Sequence, residues 1–401
     1  MTDKDKLGKV YNSVFGLALG DAWGYVTEFM PASQIKETRP EFPDDALVTD
    51  DTQMSLYAIH ALKTAKDTIN EVDQNNEFNA EAWDVITKSL THEFLIWLDD
   101  YRNVRAPGNT CISALRQAQH HNYTHFESSV LDSKGCGANM RNPWFGLLPY
   151  SDETIERLSL VQGALTHGHP LALASSVLTA LAVKAVFTGE VVLNKKDSGN
   201  NHPLYTWVGN KIDELLNTEL NQSYIAKQFS HENTSFFGKI GNWLGEDSNF
   251  YEDKPKPVER DDSSFDGWFP LYDRYVSGLR ELQMYWNSDA LRNGSTIQEN
   301  LAKLSERTHY NLCEVVGAEG WVAEEALLLG VVATDEYSFS PVETLRQLVL
   351  TSGDSDSIAA IGGAIVGAAY TNPLWGDEYT NNLEKDYLQE LIDVVDAIAH
   401  W

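Results

Sequence analysis

The chain has 401 residues, and its 59 acidic residues against 30 basic ones give a formal net charge of −29 at pH 7. A protein with this charge repels phosphate backbones and anionic lipid surfaces, so we expect neither a nucleic-acid partner nor a membrane partner. Hydrophobic residues make up 42% of the chain, which is enough for a substantial core.

The N-terminus and the cysteines predict the compartment. The first residues, MTDKDKLGKVYNS, are polar and lack the apolar region of a signal peptide. No apolar run reaches about 18 residues, so no transmembrane helix is expected. Cys111, Cys136 and Cys313 show no zinc-type spacing and indicate a reducing environment. We therefore expect a cytoplasmic protein, and we also expect a monomer.

Helical periodicity dominates the chain and predicts an all-α fold in one domain over residues 1–401. The apolar residues follow helical spacing in segments 10–25, 52–65, 80–98, 110–119, 155–165, 171–187, 205–216, 271–285, 297–304, 320–334, 342–350, 357–369 and 383–400. The best candidate for a strand is the short segment 191–193. A polar segment at about 195–270, which contains Pro255 and Pro257, is predicted to be an insertion within the domain.

The first motif in chain order combines glycines with acidic residues. Gly16, Gly20 and Gly24 fall on one face of a predicted helix, and Asp21 and Glu28 follow this face towards the helix end. Glycines with this spacing let another backbone approach closely. Two interpretations stay open: the segment serves helix packing alone, or the helix end offers Glu28 to a pocket.

Two acidic clusters lie roughly 300 residues apart, each in a turn just before an apolar helix. Their carboxylates and hydroxyls belong to Thr49, Asp50, Asp51, Asp354, Asp356 and Ser357. One acidic residue at a helix start is ordinary N-capping, so two independent caps are one hypothesis. Paired carboxylates with flanking hydroxyls exceed what a cap needs and are the hard ligands that Mg²⁺ or Ca²⁺ takes. We favour a metal site built from both clusters.

A glycine-rich loop and a histidine complete the candidate residues. Gly135 and Gly137 lie in a loop whose successive N–H groups could cradle an anion such as a diphosphate, although a plain turn also fits. His167 comes just before a helix of small residues. It either donates to a ligand or is a buried residue that caps this helix.

These motifs, in this order, resemble the ADP-ribosylglycohydrolase family. The matching segments are GDAWGYVTEF at 20–29, TDDTQM at 49–54, RAPGNT at 105–110, GCGANMR at 135–141, THGHP at 166–170, GWVAEEAL at 320–327 and GDSDSIAAIGGAIVGA at 353–368. The resemblance implies an all-α fold with a binuclear Mg²⁺ site in a central cleft, with Mn²⁺ as a substitute. The polar segment at about 195–270 lies outside the family pattern.

The resemblance also implies roles for single residues. The metal ligands it implies are Thr49, Asp50, Asp51, Asp354, Asp356 and Ser357. Members often have threonine where this chain has Ser357, and the hydroxyl is retained. Glu28 matches an acidic residue on a mobile flap over the metals, and we expect catalysis from Glu28, Asp50 and Asp51.

The same resemblance places the substrate. Gly135, Gly137 and Asn139 match the loop that holds the diphosphate and the adjoining ribose. His167 matches a histidine near the substrate ribose. The implied partner is an ADP-ribosylated protein or another ADP-ribose conjugate.

The function implied is a Mg²⁺-dependent hydrolase that cleaves the bond between ADP-ribose and an acceptor. We favour arginine as the acceptor, because an acidic rim would attract its guanidinium. Candidates for that rim, which are otherwise solvated loop charges, are Asp44, Asp45, Asp99 and Asp100. The alternative acceptors are serine, a nucleic-acid base, poly-ADP-ribose or a small molecule. A non-catalytic crystallin-like or ADP-ribose-binding protein is the alternative of another class, and the intact acidic clusters argue against it.

Overall fold

The computed structural model describes residues 1–69, 78, 80–193, 202–218, 221, 269–287 and 312–401. Their helices are α1 (Asp3–Gly24), α2 (Ala32–Thr38), α3 (Asp50–Ile69), α4 (Ala80–Asp99), α5 (Asn109–His121), α6 (Gly137–Met140), α7 (Asp152–Ala164), α8 (Pro170–Thr188), α9 (Pro203–Leu216), α10 (Phe269–Trp286), α11 (Leu312–Val316), α12 (Ala323–Tyr337), α13 (Pro341–Val349), α14 (Ser355–Gly367), α15 (Asp377–Thr380) and α16 (Lys385–Ala399). A 3-10 helix, Pro143–Leu147, precedes α7. Extended pairing in these ranges is limited to isolated bridges, so the predicted all-α fold is confirmed.

The helix predictions differ from the structure mainly at the ends. α1 starts seven residues early, at Asp3 rather than residue 10, because Thr2 and Asp5 form a capping box before the apolar pattern begins. The predicted helix at 297–304 lies outside the described residues. The candidate strand at 191–193 is not a strand. The sequence pattern missed α2, whose only buried residue is Ile35, so it carries almost no periodicity.

The predicted insertion is described only in part. Within it, α9 places Leu204, Val208 and Ile212 in the core, each with no exposed surface. This helix is therefore part of the main core, although the segment around it is polar. Most of the remaining residues of the predicted insertion lie outside the described ranges, and its boundaries stay a prediction.

The central helix of the core is α8. His169 caps it by accepting a hydrogen bond from the N–H of Leu171 at 3.1 Å, and Pro170 occupies the first position, where no N–H is needed. Gly189 ends it with φ 84°, a conformation that favours glycine. By length and composition α8 could cross a membrane, but 89% of its apolar window is buried inside the protein, as in a core helix.

α1 and α14 pack with their backbones in contact. A β-carbon at Gly20 would lie 2.2 Å from the carbonyl oxygen of Ala359, and one at Gly24 would lie 2.4 Å from that of Ser355. Gly16 is equally close to α14. Only glycine permits such an approach, so these three residues serve helix packing. The same packing brings the end of α1, with its acidic residues, beside the start of α14.

Candidate active site

Asp21, near the end of α1, orients the first acidic cluster, which lies at the start of α3. Its buried carboxylate accepts hydrogen bonds from the backbone N–H groups of Thr49 and Thr52, at 2.9 and 3.1 Å. It also accepts from the Thr49 hydroxyl at 2.7 Å. Asp21 therefore caps the N-terminus of α3, and the carboxylates of Asp50 and Asp51 are not needed for that role.

The segment 105–110, which had no chemical interpretation from its residues alone, supports the same turn. Arg105 donates to the carbonyl of Val48 at 2.7 Å and pairs with Glu384, whose Oε2 lies 2.7 Å from Nη2. The backbone N–H of Gly108 donates to Oδ2 of Asp50 at 3.0 Å. The turn is therefore fixed from both sides.

The second acidic cluster is held by a loop and by a cysteine. The backbone N–H of Asp354 donates to the carbonyl of Glu319 at 2.8 Å. Sγ of Cys136 donates to Oδ2 of Asp354 at 2.9 Å. The Ser355 hydroxyl donates to the carbonyl of Gly24 at 2.8 Å, which ties the cluster to α1.

The structure brings the two clusters together with Asp21, in α1, and Glu28, in the turn after α1. Carboxylate oxygens of Asp21, Asp51 and Asp356 lie within 4.8 Å of one another, and so do those of Glu28, Asp354 and Asp356. Asp356 belongs to both groups and joins them. Sequence reasoning placed Glu28 here but left Asp21 without a role, because its contacts appear only when α1 packs beside α3.

The charges in this cluster are of one sign. Burial first, and neighbouring carboxylates second, raise the pKa of Glu28 to about 8. Burial raises the pKa of Asp50 to about 7, and the pKa values of Asp51 and Asp356 lie well above the ordinary range for the same reasons. Among the described residues, no lysine, arginine or histidine pairs with these carboxylates. Oδ1 of Asp51 is buried, and it has no hydrogen-bond partner among the described residues.

A raised pKa alone does not distinguish this site. Burial raises the pKa of Glu156 to about 8 and that of Asp335 to about 7, although neither belongs to the converging carboxylates. Asp335 has a structural explanation, because it caps α9 by accepting from the N–H groups of Leu204 and Tyr205 at 3.0 and 2.8 Å. What separates the acidic clusters from these residues is that several carboxylates converge without a cation.

The donor set fits divalent cations. The converging ligands are carboxylate oxygens, with the hydroxyls of Thr49 and Ser357 beside them, and hard cations such as Mg²⁺ take such oxygens. Oδ1 of Asp51, which is buried without a hydrogen-bond partner among the described residues, has a lone pair available to a metal ion. The single thiol in contact, that of Cys136, is already donating to Asp354.

The glycine loop rests directly on His167. A β-carbon at Gly137 would lie 2.9 Å from both Sγ of Cys111 and Cε1 of His167, and one at Gly135 would lie 3.5 Å from Nε2 of His167. The clash expected of a side chain at residue 137 is therefore with Cys111 and with His167.

Asn139 is fully buried and holds the loop to α12. Its Nδ2 donates to the carbonyl of Ala323 at 3.0 Å, and it has no exposed surface. This is a structural role, and its predicted contact with substrate stays a prediction. His167 is not the cap of α8, since His169 performs that role. Burial and nearby Arg141 lower the pKa of His167 to about 3, so its ring is neutral.

The expected acidic rim is only partly available. Asp100 pairs with Arg102 at 2.8 Å and accepts from the Tyr57 hydroxyl at 2.8 Å, and Asp99 accepts from Gln119 at 2.7 Å. These two carboxylates are therefore engaged within the protein. Asp44 and Asp45 are exposed, as expected of solvated loop charges.

An exposed aromatic pair lies beside Glu28 and was not predicted. The rings of Phe29 and Trp321 have centroids 4.8 Å apart, with 59% and 38% of the residues exposed. Phe29 has φ 61°, which a bulky residue rarely adopts. The pair connects the turn after α1 to the loop before α12. In the sequence, the only sign of this contact was that an aromatic residue, Phe29, directly follows Glu28.

Comparison with known proteins identifies the family of the chain. A family model described as ADP-ribosylglycohydrolase matches residues 2–400. The chain is 29% identical over 216 residues to the ADP-ribosyl-[dinitrogen reductase] glycohydrolase of Rhodospirillum rubrum. This alignment covers 50% of this chain and 65% of that protein. The chain is 22% identical over 350 residues to the ADP-ribosylhydrolase ARH1 of Dictyostelium discoideum, and this alignment covers 81% of this chain and 74% of that protein.

A solved structure described as an ADP-ribosylglycohydrolase-related protein complex is similar in fold. It has a TM-score of 0.52 and 14% sequence identity, and the similarity covers 99% of both chains. At this identity the likeness concerns the fold alone.

Proposed function

The chain belongs to the ADP-ribosylglycohydrolase family, and from this premise we propose that it is a divalent-metal-dependent hydrolase that cleaves the glycosidic bond between ADP-ribose and an acceptor. The observation that carries the proposal is the buried cluster of carboxylates without a cationic partner among the described residues. Such a cluster is unfavourable unless its charges are neutralised. We propose that the cluster binds two Mg²⁺ ions, for which Mn²⁺ can substitute.

The metal would be held by the two clusters predicted from the sequence. The proposed ligands are Thr49, Asp50, Asp51, Asp354, Asp356 and Ser357. Asp21 also lies within reach, but its oxygens accept hydrogen bonds from Thr49 and Thr52, so we assign it to orienting the first cluster. When bound, divalent ions orient the ribose hydroxyls and polarise a water or the leaving group.

Proton transfer is proposed for the carboxylates themselves. Glu28 is only half-buried, so its carboxyl group is accessible to a substrate or a water, and we propose that it takes part in proton transfer. Asp50 and Asp51 lie in the adjoining cluster, where a carboxylate stabilises the positive charge that develops on the ribose as the bond breaks. The division of the acid and base roles among these three is part of the proposal.

The substrate would lie against the glycine loop. Backbone N–H groups at Gly135 and Gly137 and the ring of His167 are proposed to bind the diphosphate and the adjoining ribose. We propose ADP-ribosylated arginine on a protein as the substrate. Supporting this, the Rhodospirillum rubrum relative is by name a glycohydrolase of ADP-ribosyl dinitrogen reductase, which is a protein conjugate. The strongly negative charge of −29 also favours a cationic leaving group over a DNA conjugate.

The test measures ADP-ribose release from arginine-, serine- and DNA-linked conjugates at matched concentration and salt, with Mg²⁺ and after exhaustive chelation. We expect release from the arginine conjugate, dependent on Mg²⁺. Full activity after chelation would contradict metal dependence. Faster release from the DNA conjugate would contradict the acceptor and the charge argument, while leaving the hydrolase proposal standing. Cytoplasmic location and a monomeric state remain predictions, open to fractionation and to light scattering.

A further inference from the structure

Arg141 is a buried arginine whose hydrogen bonds are complete. Only 1% of the residue is exposed, and no carboxylate among the described residues pairs with it. Nε donates to Oε1 of Gln162 at 2.7 Å, and Nη2 donates to the carbonyl of Gln162 at 2.7 Å. Nη1 points at two sulfur atoms, Sγ of Cys111 at 3.4 Å and Sδ of Met54 at 3.6 Å. The fifth N–H, also on Nη2, reaches Oγ1 of Thr166 at 2.8 Å.

The last of these bonds continues to His167. Oγ1 of Thr166 lies 2.8 Å from Nδ1 of His167. Since arginine can only donate, Oγ1 accepts from Arg141 and has its own proton left to give. Nδ1 of His167 is the closest acceptor for that proton. The carbonyl of Gly163 is 3.5 Å away, at the limit for a hydrogen bond, and Sγ of Cys111, which also interacts with the hydroxyl, is a weak acceptor. The proton therefore goes to Nδ1.

This direction fixes the tautomer of the histidine. A ring nitrogen that accepts carries no proton, so a neutral His167 carries its proton on Nε2. The ring is kept neutral by burial and by the positive charge of Arg141, which lower its pKa to about 3. The Nε2 side of the ring faces the glycine loop, where a β-carbon on Gly137 would lie 3.3 Å from Nε2.

We propose that Arg141 and Thr166 form a relay that fixes His167 as a neutral donor with its proton on Nε2, directed at the ligand that lies on the glycine loop. His167 then binds a substrate oxygen through one hydrogen bond and does not transfer protons. Arg141 and Thr166 are positioning residues, because they act through the ring. The identity of the ligand rests on the proposed function, whereas the tautomer does not.

The relay is tested by nitrogen-15 NMR of protein labelled at histidine, with the His167→Gln variant used to assign the His167 signals. In the wild-type protein we expect a non-protonated Nδ1 and a protonated Nε2, unchanged between about pH 5 and about pH 8. Thr166→Val removes the donor to Nδ1 at similar volume, so the signals should move towards the other tautomer or a mixture. Thr166→Ser retains the hydroxyl and should give the wild-type spectrum.

The same variants are then titrated with ADP-ribose by calorimetry. Thr166→Val should weaken binding about tenfold, and Thr166→Ser should restore it. A protonated Nδ1 in the wild-type protein would overturn the relay, and so would a Thr166→Val variant with the wild-type tautomer. If ADP-ribose fails to bind the wild-type protein, the proposed function is contradicted, and the spectra still decide the relay. If Thr166→Val does not fold, the wild-type spectrum alone decides it.

Discussion

Two buried polar regions lie side by side in this protein and differ in how their charges are satisfied. Arg141 contacts Cys111, and Cys111 lies close to Gly108, whose N–H donates to Asp50 in the carboxylate cluster. Around Arg141, each donor of the one buried charge has an acceptor inside the protein. In the cluster, like charges converge and Oδ1 of Asp51 has no partner among the described residues.

This difference separates positioning from binding. A buried polar network that is complete within the protein is rigid and needs no ligand. A buried cluster that lacks counter-charge is incomplete, and native proteins rarely leave such groups unpaired. Burial and raised pKa values, which Glu156 shares, do not by themselves distinguish the two cases.

The largest expected effect comes from removing one charge of the cluster. Asp51→Asn or Asp356→Asn should lower ADP-ribose release by at least about a hundredfold and abolish stabilisation by Mg²⁺, which for the wild type reaches about 4 kcal/mol at a thousandfold excess over Kd. Without metal, the variants should be at least as stable as the wild type, because a buried like charge is gone. Thermal unfolding with and without chelator measures this.

Glu156→Gln is the matched control, because Glu156 is equally buried and has a raised pKa outside the cluster. It should retain activity and the response to Mg²⁺. If Asp51→Asn is less stable than the wild type in chelator, the cluster is already satisfied and the comparison fails.

A smaller effect is expected from pH. The folded pKa values of Asp50 and Glu28, about 7 and about 8, lie above their ordinary values of 3.8 and 4.5. Between the ordinary and the folded pKa values, the folded state binds more protons than the unfolded state. The stability of the metal-free protein should therefore fall as pH rises from about 4 to about 8. Bound Mg²⁺ favours the deprotonated carboxylates, so its stabilising effect should grow with pH.

The measurement is the difference in melting temperature with and without Mg²⁺ at about pH 6 and about pH 8. Taking the difference removes the contributions of Glu156 and Asp335, whose pKa values are also raised. A metal-induced shift that is the same at both pH values would show that the cluster binds metal without releasing protons.

The smallest effect concerns the glycine loop beside the Arg141 network. Gly137→Ala should cost about 1–3 kcal/mol of stability, because its β-carbon would lie 2.9 Å from Cys111 and His167. Displacing His167 should also weaken ADP-ribose binding, with unchanged far-UV circular dichroism. Gly163→Ala is the control, since its β-carbon would be no closer than 3.4 Å to any neighbour. Chemical denaturation that finds equal stabilities for both variants would show that the loop is loosely packed.

The sequence predicts the helices and the two acidic clusters because both are local patterns. Apolar spacing identifies α3 and α14, and paired acids with hydroxyls lie at the start of each. Asp21 could not be placed in the same way, because its contacts with Thr49 and Thr52 depend on how α1 packs. The buried amide of Asn139 also depends on a distant partner, the carbonyl of Ala323. Residues whose partners lie on other helices carry no local signature.

The close contact of α1 with α14 has a consequence for biosynthesis. The hydroxyl of Ser355 and the carbonyl of Gly24 are 331 residues apart in sequence. During translation, α1 is complete long before α14 leaves the ribosome. The group formed by Asp21, Asp51 and Asp356 can therefore assemble only after most of the chain has been made. Contacts at such separation slow folding, although their entropic cost grows only slowly with loop length. A metal ion bound by both clusters, as proposed, would not assist the early steps of folding, because α14 is one of the last helices made.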